Sequence, residues 1–79
     1  MKNELIQNLD KLHTTELGKI RIQRNLELDI DDVVSWCKSI IPFSSNIEIK
    51  GKNRYVKTDD YIITINAYSY TIITAHKID

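Results

Sequence analysis

Between Asn46 and His76 apolar and polar residues alternate along four short segments, and the alternation is interrupted at three places that carry turn chemistry. Gly51-Lys52 joins segment 46–50 to 53–57, with Gly51 supplying the positive φ that a two-residue hairpin loop needs. Asp59-Asp60 joins 53–57 to 61–66, since Asp tolerates turn geometry. Ala67-Tyr68, with Asn66 and Ser69 in a longer form of the loop, joins 61–66 to 69–76. Two-residue loops predict the pairs Ile47/Val56, Ile49/Arg54, Val56/Ile63, Ile63/Ile72 and Ile65/Tyr70. Side chains alternate faces along a strand, so one face collects Ile47, Ile49, Val56, Ile63, Ile65, Tyr70 and Ile72, with Arg54 near its margin. The other collects Glu48, Lys50, Asn53, Tyr55, Lys57, Thr64, Asn66, Ser69 and Thr71, with Ile62 and Ile73 among them.

The N-terminal half carries helical spacing instead. Leu5, Ile6, Leu9 and Leu12 form one stripe over 3–12, with Asn3 as N-cap. Thr15 caps a second helix over 15–26, whose apolar edge is Leu17 and Ile20, joined by Arg21 and Arg24. Gly18 weakens that helix by roughly 1 kcal/mol relative to Ala, while permitting close backbone packing. A third helix over 30–41 has Asp29 as N-cap, Asp31 and Asp32 in its first turn, and Val33, Trp36, Cys37 and Ile40 at i, i+3, i+4, i+7. Pro42 stops it. The pattern predicts one α+β domain over 1–79: three N-terminal helices packed on one face of a four-stranded antiparallel β-meander.

Composition changes this picture little. The 79 residues suffice for one small core, and 11 basic against 11 acidic residues leave no global field toward nucleic acid or membrane. Any such contact is local, and residues 46–57 supply one: Lys50, Lys52, Arg54 and Lys57 against Glu48. The single cysteine, Cys37, excludes an intramolecular disulfide and reads as buried filler in its stripe. No apolar run approaches the ~20 residues of a membrane span, and the N-terminus lacks the layout of a secretory signal. A cytoplasmic location without membrane contact is expected.

Several chemistries find no support. Two distant histidines and one apolar-stripe cysteine do not make a metal site, Gly18 and Gly51 stand alone rather than in a phosphate loop, and no spacing points to a Ser-His-Asp triad. Neither metal nor cofactor is expected. A helix-turn-helix is disfavoured because its recognition helix would open with Asp29, Asp31 and Asp32, which repel phosphates. The polar sheet face is more suggestive, because basic groups hold phosphates and an aromatic ring stacks an unpaired base. His76, at the end of the last strand on the parity of Ile72, is the acid–base candidate, while His13 reads as a helix-end residue. Arg21, Arg24 and Arg54 are candidates for bidentate phosphate contacts.

The segments TTELGKIRIQRNLELDIDDVVSWCK, KGKNRYV and ITINAYSYTIITAHK resemble the bacterial family catalogued as domain of unknown function 3781. More remotely, an arginine-bearing helix, a second amphipathic helix and a meander ending in an Ile-Ile-Thr strand resemble the RelE, barnase and colicin D group of small endoribonuclease folds. That resemblance implies metal-independent RNA cleavage on a sheet face. It matches the helix arginines to Arg21 and Arg24 and the terminal-strand hydroxyl to Thr74, with His76 following. Toxins of that group are commonly basic, and this chain is neutral.

The reading is therefore an RNA-binding or endoribonuclease-like domain. Lys50, Lys52, Lys57 and Arg54 neutralise phosphate, Tyr55 stacks a base, Asn66 and Thr71 position the ribose, and His76 moves the proton. The alternative is a non-catalytic protein-interaction module, antitoxin-like or a phage-defence accessory, with a protein partner or a second copy. Its contact residues are Ile62, Ile73 and Tyr68.

Overall fold

The computed structural model describes residues 4–27 and 30–78, so the expected caps Asn3 and Asp29 lie outside it. The first apolar stripe forms a short helix α1 (Glu4–Gln7) and a 3₁₀ turn (Leu9–Lys11), not one helix over 3–12. The amides of Asn8, Lys11 and Leu12 all bond the carbonyl three residues back, the tighter 3₁₀ pattern. The segment must then extend, because His13 forms a parallel bridge to Thr71. Helix α2 (Glu16–Leu26) starts where expected, with the Thr15 hydroxyl accepting the Gly18 amide at 3.0 Å, and ends on Glu27 in the left-handed region (φ 55). Helix α3 (Val33–Ile40) starts three residues later than expected. Its cap is Asp32, whose carboxylate accepts the Ser35 amide and hydroxyl, the amide first among the causes that hold its pKa below the ordinary value. A 3₁₀ turn (Ile41–Phe43) containing Pro42 follows.

Four antiparallel strands complete the α+β chain in the order β1 (Asn46–Lys50), β2 (Asn53–Lys57), β3 (Tyr61–Asn66), β4 (Ile72–Lys77). The first two registers are those the turn residues dictate, pairing Ile47 with Val56 and Val56 with Ile63. Gly51 has φ 59 and Lys52 does not share the positive φ, which is a type II′ hairpin. At the second turn the Thr58 hydroxyl accepts the Tyr61 amide at 2.9 Å.

The third hairpin departs from expectation. The Asn66 side-chain oxygen accepts the amides of Tyr68 and Ser69, Tyr70 turns left-handed (φ 59), and the Asn66 amide reaches the Thr71 carbonyl at 2.8 Å. The loop is thereby longer than two residues, and β4 begins at Ile72 instead of residue 69. Ile65 faces Ile72 rather than Tyr70, whose ring packs onto the core from the loop. A β-bulge follows, since Thr64 faces Thr74 while Ile65 faces Ile72, leaving Ile73 as the extra residue. Its effect is to reverse the parity of everything after Ile73.

One buried cluster joins Leu5, Leu12, Ile22, Leu26, Val33, Cys37 and Ile41 to Val56, Ile63, Ile65, Ile72 and Ala75. Trp36 packs edge-on to Tyr61, with ring centroids 4.9 Å apart. Helix α2 buries Gly18, Ile22 and Leu26, while the expected edge of Leu17 and Ile20 is 72% and 49% exposed. Its rotation is set by β4: the Thr14 hydroxyl donates to the Ile72 carbonyl at 2.8 Å, and a Cβ at residue 18 would run into that same hydroxyl oxygen and lie 3.4 Å from the Ile72 carbonyl. Among the described residues no helix is long and apolar enough to cross a membrane.

Two expectations follow. Gly18→Ala should lose about 1–2 kcal/mol in urea unfolding, instead of gaining the ~1 kcal/mol of an exposed helix site, because the new methyl displaces Thr14. A gain in midpoint would contradict the close approach. Burial pushes the Cys37 thiol up to about 12 from an ordinary value of 9.0. A raised folded-state value favours the native state below the unfolded pKa, so this contribution is lost as pH rises from about 9 towards 12. Cys37 should label only on unfolding, and labelling of native protein at a free-thiol rate would contradict its burial.

Candidate nucleic-acid interface

Strand registers place the polar residues in rows running across the sheet. Lys57, Ile62 and His76 make one row, with Asn46 beyond Lys57 on β1. Glu48, Tyr55, Thr64 and Thr74 make the next, and Lys50, Asn53 and Asn66 the third. The bulge brings Thr74 and His76 here. Without the extra residue their parity would put them in the rows of Ile63 and Tyr61, the side on which sequence alternation placed His76 with Ile72. Thr74 and Thr64 are directly opposed, which sets their Cβ atoms roughly 5 Å apart. His76 is exposed and lies across one intervening strand, about 10 Å, from Lys57.

The row centres differ in exposure. Thr64 retains 7% of its surface in the middle of the sheet, between the half-buried Tyr55 and Thr74. The Glu48 carboxylate sits between two lysines, 3.6 Å from Lys57 and 3.8 Å from Lys50, and also accepts the Asn46 amide at 3.0 Å. Such exposed pairs are worth roughly 0–1 kcal/mol each, so an incoming phosphate can compete for both ammonium groups. Lys52 is exposed on the hairpin turn, and its carbonyl accepts the Ala67 amide at 2.7 Å, tying that turn to the β3–β4 loop.

Not every residue expected at the interface lies there. Arg54 is 6% exposed in the row of Ile49, Ile65 and Ile72, on the side of the buried cluster and away from Tyr55 and Lys57. Period-two alternation with Val56 puts it there. Asn66 spends its side-chain oxygen on the loop amides. Thr71 precedes β4 and bonds His13 Nε2 at 3.0 Å and the Ser69 hydroxyl at 2.8 Å, so Ser69 and Thr71 belong to the loop and not to the strand face. Arg21 and Arg24 are both exposed on α2. Only Arg21 shares a helical side with Asn25, one turn later, and Asn25 donates to the Thr74 hydroxyl at 3.0 Å. Arg21 therefore lies toward the β4 rim, while Arg24 is turned off it by helical spacing.

Asn25 is one contact that sequence spacing did not reveal, because no local pattern links it to Thr74, 49 residues on. His13 is another. Its Nδ1 lies 3.0 Å from the Lys11 carbonyl, which can only accept, so in the neutral ring Nε2 accepts from the Thr71 hydroxyl. The Lys11 ammonium stands 5.6 Å over the Tyr70 ring beside this chain of bonds. His13 thus fastens the loop rather than ending a helix.

Elsewhere an open cleft of about 390 Å³ between the N-termini of α2 and α3 is lined by Thr15, Glu16, Lys19, Asp31 and Asp32 among others. Its carboxylates disfavour phosphate. Among the described residues no group of three or more His, Cys, Asp and Glu side chains could hold a metal ion.

No curated protein and no solved structure matches the chain. A family model described as protein of unknown function (DUF3781) matches residues 6–76, which takes in α2, α3, the whole meander up to His76 and every residue of the polar rows. The chain belongs to the DUF3781 family.

Proposed function

We propose that the polar rows of the sheet bind single-stranded RNA, and that Thr74, His76 and Lys57 form a metal-independent, ribonuclease-like centre within them. The observation that carries the reading is the bulge at Ile73, which turns a titratable imidazole and a hydroxyl onto the face that holds Tyr55, Thr64 and Lys57. Bulges re-aim side chains in this way beside functional sites. The sharing of one buried cluster by helix residues and Val56, Ile63, Ile65, Ile72 and Ala75 supports a ligand on the other face, as does the remote resemblance to the RelE, barnase and colicin D group.

Tyr55 stacks an unpaired base, Lys57 and Lys50 leave Glu48 to hold phosphate, and Thr74 addresses the ribose. Arg21 meets the backbone at the β4 rim. In cleavage, the His76 imidazole takes the proton of the ribose 2′-hydroxyl as its oxygen bonds phosphorus. The bond from phosphorus to the 5′-oxygen breaks, and that oxygen takes a proton from the Lys57 ammonium. The products are a 2′,3′-cyclic phosphate and a free 5′-hydroxyl, so DNA, which lacks the nucleophile, survives. Arg54, buried on the other side, has no part in this scheme.

A second reading, a protein-interaction module, is favoured by the neutral charge and by Leu17 and Ile20 standing exposed on α2. Labelled single-stranded RNA separates the two. Binding at low salt should weaken about 5- to 150-fold in Tyr55→Ala, the range for one stacked base, and the slope of its logarithm against log salt should fall by about 0.7 in Lys57→Ala, the share of one phosphate contact. Cyclic-phosphate ends should form in EDTA and vanish in His76→Ala. Bound but intact RNA would reduce the reading to binding alone, and no binding at low salt would remove it in favour of the second.

A further inference from the structure

The two edges of the sheet are treated differently. The outer edge of β4 is engaged where the strand begins, since the His13 amide donates to the Tyr70 carbonyl at 3.2 Å and the Ile72 amide to the His13 carbonyl at 2.7 Å. Among the described residues nothing pairs with the outer edge of β1. A two-residue hairpin closes on a hydrogen-bonded pair, here Lys50 with Asn53, and such pairs alternate along the ladder. The backbone amides and carbonyls of Ile47 and Ile49 therefore point away from β2, toward solvent. The Ile49 side chain is 60% exposed although it lies in the row of Arg54 and Ile65, so the helical layer does not reach that end of β1.

We infer that β1 is a self-association edge, pairing antiparallel with β1 of a second copy about a two-fold axis at Ile49. The occupant follows from the side chains. Centring on Ile49 sets the exposed Ile49 side chains against each other and places Glu48 opposite Lys50 of the second copy, twice by symmetry. Directly opposed unlike charges support a strand pair and like charges weaken it. Centring one residue earlier sets Glu48 against Glu48. Centring on Ile47 leaves Ile49 facing Ser45, with no apolar cover. Only the first register satisfies charge and apolar surface together. A heterologous strand would need no such self-complementarity, and a two-fold contact closes after two copies without building a fibre. The result is one continuous sheet in which the polar rows of both copies run on across the junction. The inference does not depend on RNA binding.

Sedimentation velocity over a concentration series tests it. The wild type should be a reversible dimer. Ile49→Pro should be monomeric with an unchanged circular dichroism spectrum, because the amide it removes serves only the outer edge. Glu48→Lys should raise the dimer dissociation constant about tenfold or more, and Glu48→Lys combined with Lys50→Glu should restore it. Ile49→Cys should give an oxidised covalent dimer, with buried Cys37 not competing. A wild type that stays monomeric up to ~1 mM would overturn the inference. So would a dimer that survives Ile49→Pro, or one lost in Leu17→Asp on α2 instead. A double variant that fails to regain dimerisation would overturn the Ile49-centred register.

Discussion

Ile72 is held from outside the sheet. Its amide donates to the His13 carbonyl at 2.7 Å and its carbonyl accepts the Thr14 hydroxyl at 2.8 Å, with Gly18 close against the same carbonyl. Side chains three apart on a regular strand face opposite ways, yet Ile72 and Ala75 are both buried. The inserted Ile73 reconciles them. A regular strand would instead bury Thr74 among isoleucines and expose Ala75. An unmatched hydroxyl costs roughly 1–3 kcal/mol in such surroundings, more than one irregular step on an edge strand whose backbone the N-terminal segment already engages. The same bulge that completes the core also carries Thr74 and His76 to the polar side.

The N-terminal segment consequently does two jobs at one edge. It takes up the edge groups of Tyr70 and Ile72 where β4 begins, and it fixes the rotation of α2 so that Ile22 and Leu26 face inward while Asn25 reaches Thr74. Leu17 and Ile20 are left outside by that rotation. Among the described residues nothing covers the opposite edge, at β1, and its charges alternate in a way that suits its own antiparallel image.

Much of the architecture was legible because it is local. Gly51 and the Asp59-Asp60 pair set two registers, and Thr15 and Pro42 mark helix boundaries. The third hairpin was not legible at the same level. Asn66 can close either a short or a longer loop, and the choice depends on Tyr70 packing onto the core and on His13, 58 residues from Thr71. The bulge has no composition signal at all, since YTIITAH contains no glycine, proline or other turn residue to mark an extra position. Of the candidate site, Tyr55 and Lys57 could be placed by parity alone, and so could Arg54, whose shared parity with Val56 takes it to the buried side. His76 and Thr74 reached the polar face for a reason that no short window of sequence contains.

The account rests on where β4 changes parity, and side-chain nuclear Overhauser contacts across β3 and β4 in the uniformly labelled protein measure that directly. The bulged register predicts contacts from Thr64 to Thr74 and from Ile62 to His76. A regular strand continuing from Ile65 and Ile72 would instead give contacts from Ile63 to Thr74 and from Tyr61 to His76, and that result would contradict it.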